Sequence, residues 1–164
     1  MSRLVMVIDD SATVRKITEV CLERAGYEVI GFPDSVEAIR WLTTQQAHLP
    51  QLVFLDIEMP RLDGYAVVQY LRARPQFSGM VIVMLSARNG ILDRLKGRLA
   101  GADDYLTKPF TTQTILAIVR VYLGCPFEPN QSPTEMQACT DTTTQHTLKW
   151  EAWPSLSPAS TTRS

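Results

Sequence analysis

LVFLDIEMPRLDG, Leu52 to Gly64, is the stretch that decides the fold. Leu52 to Leu55 form an unbroken apolar run that ends in Asp56, the pattern of a strand buried on both faces of a parallel sheet. Met59-Pro60 and Asp63-Gly64 follow at once, and both dipeptides break regular structure. Asp56 therefore stands where a buried strand opens into a loop, the rim at which open α/β sheets place their chemistry. On this stretch alone, a capping role for Asp56 is an equal alternative.

Working outward, apolar runs alternate with amphipathic ones. Toward the N-terminus, Leu4–Ile8 reads as a strand, followed by a helix over about Thr13–Ala25 on Val14, Ile17, Cys21 and Ala25, with Gly26 as its cap. Tyr27–Phe32 reads as a more polar edge strand, and Val36, Ile39, Trp41 and Leu42 mark a second helix that stops before Pro50. Beyond Gly64, Tyr65 to about Arg74 reads as a helix burying Val68 and Leu71, and Met80–Leu85 as a strand. Ile91, Leu92, Leu95 and Leu99 mark a fourth helix closed by Gly101; a short strand Asp104–Leu106 and a helix Thr111–Leu123 complete the series. Five strand–helix alternations within 124 residues predict an α/β fold. The expected form is a five-stranded parallel sheet, doubly wound, in the flavodoxin-like order 2-1-3-4-5.

The 164 residues exceed what this domain needs. Residues 125–164 hold thirteen Ser or Thr and five of the ten prolines, and read as a disordered tail without an effector domain. Trp150 and Trp153 are its exceptions. A formal net charge of −1 gives no electrostatic case for nucleic acid or anionic membrane. The apolar run at the N-terminus is too short for a signal peptide or a membrane span. Cys21, Cys125 and Cys139 match no zinc or redox spacing, so the expected location is cytoplasmic.

In the predicted strand order the first and third strands are neighbours, so Asp9, Asp10 and Asp56 crowd one corner, with Ser86 and Lys108 at the next two strand ends. Like charges so close call for a cation, and a hard, oxygen-preferring ion such as Mg²⁺ suits three carboxylates. Asp56 then has the setting of a carboxylate nucleophile for phosphoryl transfer, with Lys108 and Ser86 to meet the phosphoryl oxygens. Taken singly, Asp9-Asp10 reads first as a helix N-cap, Ser86 as a turn residue and Lys108 as a solvated surface charge; their coincidence at four strand ends on one rim is what favours the site.

With these residues in view, the chain resembles the CheY-like receiver domain of two-component response regulators over about residues 3–124. The likeness rests on IDD (8–10), LDIEMPRLDG (55–64), LSA (85–87) and GADDYLTKPF (101–110). It implies that Asp56 is the phosphoacceptor, fed by a sensor histidine kinase or a histidine phosphotransfer protein. Mg²⁺ would be held by Asp9, Asp10, Asp56 and the backbone carbonyl of Glu58. Ser86 and Lys108 would contact the phosphoryl group, Lys108-Pro109 would be a cis peptide, and the Tyr105 rotamer would follow Ser86. Glu58 and Arg88 occupy the two positions that tune phosphoryl kinetics, and their opposite charges predict a pair across the mouth of the site.

Such a domain catalyses only its own phosphorylation and dephosphorylation, and signals through the face of helix four, strand five and helix five. Tyr105, Ile118 and Val121 are the candidate residues of that output face, because Ala117, Ile118 and Val121 lie off the core stripe expected for helix five (Ile115, Val119, Tyr122). A target protein or a homodimer is its first expected occupant, and the tail through Trp150 and Trp153 its second. The expected function is a single-domain response regulator, with motility or chemotaxis suggested by its stand-alone architecture. The alternative is a phosphorelay intermediate that passes phosphate from Asp56 to a histidine phosphotransfer protein. A haloacid-dehalogenase-like phosphatase is disfavoured, because Ile-Glu-Met-Pro follows Asp56.

Overall fold

The computed structural model describes residues 3–45 and 48–126. The expectations for the tail, Trp150 and Trp153 included, lie outside the described residues. Five parallel strands form one sheet in the order β2-β1-β3-β4-β5. They are β1 (Leu4–Ile8), β2 (Glu28–Phe32), β3 (Leu52–Asp56), β4 (Val81–Ser86) and β5 (Asp104–Thr107). The helices are α1 (Ala12–Arg24), α2 (Ser35–Thr44), α3 (Gly64–Arg72), α4 (Ile91–Ala100) and α5 (Thr112–Leu123), and a 3₁₀ turn, Pro75–Phe77, lies between α3 and β4.

Strand side chains alternate between the two faces and build two cores. Met6, Ile8, Val53, Leu55, Ile82 and Met84 pack on one face against α2, α3 and Ala100 of α4. Val5, Val7, Phe54, Val83 and Leu85 pack on the other against Leu22 of α1 and Ile115, Ile118 and Val119 of α5. Every residue of β1 and β3 is buried, as the unbroken apolar runs require. Gly26 and Gly101 cap α1 and α4 with positive φ.

Two expectations about helix faces are corrected, on α1 and α5, and α4 adds an observation of its own. The buried stripe of α1 is Thr18 and Leu22, while Ile17 is 53% exposed. On α4 the residues that mark the helix face outward, and Gly97 and Ala100 face the sheet. On α5, Ile118 and Ala117 are buried and Val121 is half-buried, so α5 presents no spare apolar face. The cause is that α5 lies between the sheet and α1, which widens its apolar sector beyond one stripe. Tyr105 is also buried. The three residues expected at the output face are therefore mainly core residues.

Gly64 was expected in a turn. Asp63 is instead the N-cap of α3, accepting from the Tyr65 amide at 3.1 Å, and Gly64 is its first residue. A Cβ at Gly64 would stand 2.7 Å from the Ile57 Cα, so glycine lets α3 start against the loop that carries Asp56.

A staple unmarked in the sequence joins α3 to the far edge of the sheet. The Arg72 guanidinium donates to the carbonyls of Gly101 and Met80, each at 2.8 Å, and to Asp103 Oδ2 at 2.5 Å. The same Asp103 oxygen accepts from the Ile82 amide at 2.7 Å. Arg72→Ala leaves these acceptors short of a charged donor and should destabilise the fold by about 2–3 kcal/mol. Urea unfolding measures this, with the exposed Lys16→Ala as the control; equal midpoints for the two variants would refute the staple.

Candidate phosphoryl-acceptor site

Parallel pairing places the ends of β1, β3, β4 and β5 on one rim. The Asp9 amide donates to the Phe32 carbonyl (3.2 Å), the Ile57 amide to Leu85 (2.9 Å) and the Lys108 amide to Ser86 (2.7 Å), so backbone bonds fix each strand end. The side chains of Asp9, Asp10, Asp56, Ser86 and Lys108 are thereby brought together.

The Lys108 ammonium lies between two buried carboxylates, 2.7 Å from Asp9 Oδ2 and 3.1 Å from Asp56 Oδ2. The other oxygen of Asp56 accepts from the Glu58 amide at 2.9 Å, and the other oxygen of Asp9 from the Ser11 amide at 2.9 Å. Ser11, not Asp9 or Asp10, caps α1. Burial pushes the Asp56 carboxyl above its ordinary range against the Glu58 amide and Lys108, and the charge of Asp9 adds to the rise. For Lys108, burial favours the neutral amine, but the bonds to Asp9 and Asp56 outweigh it and hold the ammonium above its ordinary range.

Asp9, Asp10 and Asp56 each offer an oxygen within 4.8 Å of the others, a donor set that could hold a metal ion. Three carboxylates against one ammonium leave a formal excess of two negative charges, and hard oxygen donors suit a divalent cation.

Around this centre the structure carries two further links. Arg88 Nε lies 3.3 Å from Glu58 Oε1, so the expected pair forms across the mouth. Ser86 Oγ accepts from the Arg88 amide at 2.9 Å, and the Tyr105 hydroxyl donates to the Arg88 carbonyl at 2.9 Å. Tyr105 is thus tied to the Ser86 loop through Arg88, a connection that needed the fold to be seen. Arg15 was also missed: its guanidinium donates to the Asp9 carbonyl at 2.6 Å and braces the acidic corner from α1. Lys108-Pro109 is cis, as the resemblance implied.

This fold with this rim defines a receiver domain, and comparison with known proteins agrees. The response regulator receiver domain family matches residues 5–120, and the chain belongs to that family. Protein PilG of Pseudomonas aeruginosa is 38% identical over 119 residues, which are 73% of this chain and 86% of PilG. The DNA-binding dual master transcriptional regulator RpaA of Synechocystis is 36% identical over 119 residues, and the chain spans about half of its length (48%). Chemotaxis protein CheY4 of Vibrio cholerae superposes with a TM-score of 0.69 at 28% identity, over 75% of this chain and all of CheY4. The protein is the receiver domain of a two-component response regulator.

A raised Asp56 pKa means that the folded state binds this proton more readily than the unfolded chain, so the group lowers stability as pH rises above the ordinary carboxylate range. Asp56→Asn, without added metal, should therefore stabilise the fold at pH 7. The gain should shrink as the pH falls into the carboxylate range. Thermal unfolding across pH tests this; a gain that grows on acidification would overturn the assignment.

Proposed function

We propose that this receiver is switched by phosphorylation of Asp56. The arrangement of Lys108 between Asp9 and Asp56, with Ser86 at the adjacent strand end, is the observation that carries the reading. A carboxylate oxygen of Asp56 attacks the phosphorus of a phosphohistidine on a sensor kinase or phosphotransfer protein. The P–O bond forms as the P–N bond breaks, and the departing nitrogen keeps the electron pair. Burial makes Asp56 a more basic oxygen nucleophile than a solvated aspartate.

Lys108 reaches the side of Asp56 on which phosphoryl charge gathers, and the Ser86 hydroxyl offers a donor once it turns toward that group. Asp9, Asp10, Asp56 and the carbonyl of Glu58 would hold Mg²⁺. When bound, that ion neutralises the charge of the acidic corner and of the phosphoryl oxygens. The chain turns over no substrate beyond its own aspartyl phosphate.

The Glu58–Arg88 pair covers the mouth and slows the approach of water to the acyl phosphate. Both side chains are largely solvated, so its effect is small. Signalling of the chemotaxis type is supported by the likeness to chemotaxis protein CheY4 over its whole length. No described helix is long and apolar enough to cross a membrane, which is compatible with a cytoplasmic partner for a kinase. Transfer onward to a histidine phosphotransfer protein is the second reading, since the same Asp56 chemistry runs in reverse.

Incubation with acetyl phosphate and Mg²⁺ should give one phosphate adduct by intact mass in the wild type and none in Asp56→Asn. An adduct that persists in the variant would overturn Asp56 as the acceptor. Arg88→Ala should hasten adduct loss by about threefold, the kinetic equivalent of ~0.6 kcal/mol. An unchanged or slower rate would exclude the shielding role of the pair.

A further inference from the structure

The chain leaves the receiver fold at a fixed point. Past α5 the Tyr27 hydroxyl donates to the Gly124 carbonyl at 2.8 Å, and the Arg3 guanidinium donates to the Cys125 carbonyl at 2.6 Å. Pro126 then packs on Gly26, where a Cβ would meet the proline ring at 3.4 Å. Gly26 follows Ala25, and Ala25 lines a groove of about 610 Å³ between α1 and α5. The two hydrogen bonds and the proline therefore deliver the chain to the edge of that groove.

The groove is apolar and positively charged. Ile17, Val20 and Leu116 line it together with Lys16, Arg24 and Arg120, and no carboxylate is among its lining residues. Ile17 is 53% exposed, an apolar side chain on α1 that the sheet does not cover. Among the described residues Lys16 pairs with Glu19 at 3.7 Å, while Arg24 and Arg120 make no ion pair. Both guanidinium charges reach Cys21 in the same groove, where they oppose the upward push of burial on its thiol.

We propose that Phe127–Met136, FEPNQSPTEM, docks back into this groove as an extended segment. Residues 127–148 carry Glu128, Glu135 and Asp141 and no Lys or Arg, a charge opposite to that of the groove. From Lys16 to Ala25 the groove follows α1 for about 14 Å, which an extended chain spans with about five residues. Glu128 thus reaches Arg24 and Arg120 just past Pro126, and Glu135 has chain enough to reach Lys16. Pro129 and Pro133 favour extended backbone and lower the entropy lost on docking. Phe127 and Met136 supply apolar side chains to cover Ile17, and the tether at Pro126 keeps the local concentration of the segment high.

A second copy of the chain is a poor occupant, because a two-fold contact would set the same three cations against each other. The segment and the face both differ from the tail contact expected in the sequence, which used Trp150 and Trp153 on the output face. Docking covers the outer side of α1, so the segment competes with any partner that binds there. The proposal does not depend on phosphorylation of Asp56.

The test uses the full chain and NMR relaxation of the Ile17 methyl groups by a neutral gadolinium chelate, which reads exposure without regard to charge. Glu128→Lys/Glu135→Lys leaves the receiver fold untouched and should raise the Ile17 relaxation. Arg24→Glu/Arg120→Glu should do the same, and the two sets combined should restore the shielding. Two exposed ion pairs should shift the docking equilibrium about fivefold. Unchanged Ile17 relaxation in Glu128→Lys/Glu135→Lys, or no recovery in the combined variant, would overturn the proposal. Shielding that is lost on dilution would overturn it in favour of a second copy. Shielding seen only with phosphatidylglycerol vesicles would overturn it in favour of an anionic membrane surface.

Discussion

Everything at the rim depends on one ammonium group held between two buried carboxylates. Lys108 reaches Asp9 from one strand and Asp56 from another, so it joins β1, β3 and the end of β5 through charge. Two desolvated carboxylates side by side are costly, and each needs the shared cation together with a backbone amide. The parallel sheet makes the arrangement attainable, because every strand delivers its carboxyl end to the same edge. The sheet in turn requires strands that stay dry on both faces, which is why β1 and β3 carry no polar residue before their terminal aspartates. Fold and site therefore follow from the same apolar runs.

This is also why so much of the site was legible in the sequence. A polar residue just after a short apolar run has a known position once the run is recognised as a parallel strand. Asp9, Asp10, Asp56 and Ser86 stand in such places, and Lys108 follows the short, more polar strand Asp104–Thr107. The opposed charges of Glu58 and Arg88 could be paired for the same reason, since both follow strand ends that are neighbours in the sheet. Arg72 had no such marker. On its helix it resembles a solvated last-turn cation, and only the return of β4 and β5 past the end of α3 supplies the carbonyls of Met80 and Gly101.

The helix faces were harder to read, and for a physical reason. Periodicity reveals that a helix has two sides but does not say which one meets the sheet. The usual inference assigns the apolar side inward, and it holds for Val68 and Leu71 of α3. It fails for α4, where the deciding residues are small. Gly97 allows the helix to approach Met84 and Tyr105 at distances that leucine could not accept, and Ala100 is buried as well. Small residues at helical spacing carry this signal, but without the neighbouring Tyr105 it looks like ordinary variation. For α5 the error ran the other way: Ile118 seemed surplus until α1 and the sheet were both found to pack on it.

The reversal of α4 has a consequence for how a switch could work in this chain. A helix anchored by large apolar side chains resists displacement, because moving it opens cavities among them. Gly97 and Ala100 have little volume to withdraw, so sliding α4 over Met84 costs less than sliding α3, which is held by Val67, Val68 and Leu71. Its remaining ties include the Tyr65 hydroxyl, 3.3 Å from the Asp93 carbonyl, and the Tyr105 ring, itself hydrogen-bonded to Arg88. Both are side-chain contacts that a rotamer change can release. On the proposed reading, a phosphoryl group that drew Ser86 toward Asp56 would withdraw the acceptor of the Arg88 amide, whose carbonyl holds the Tyr105 hydroxyl. The small inner face that exposes the leucines is thus also what leaves α4 free to respond.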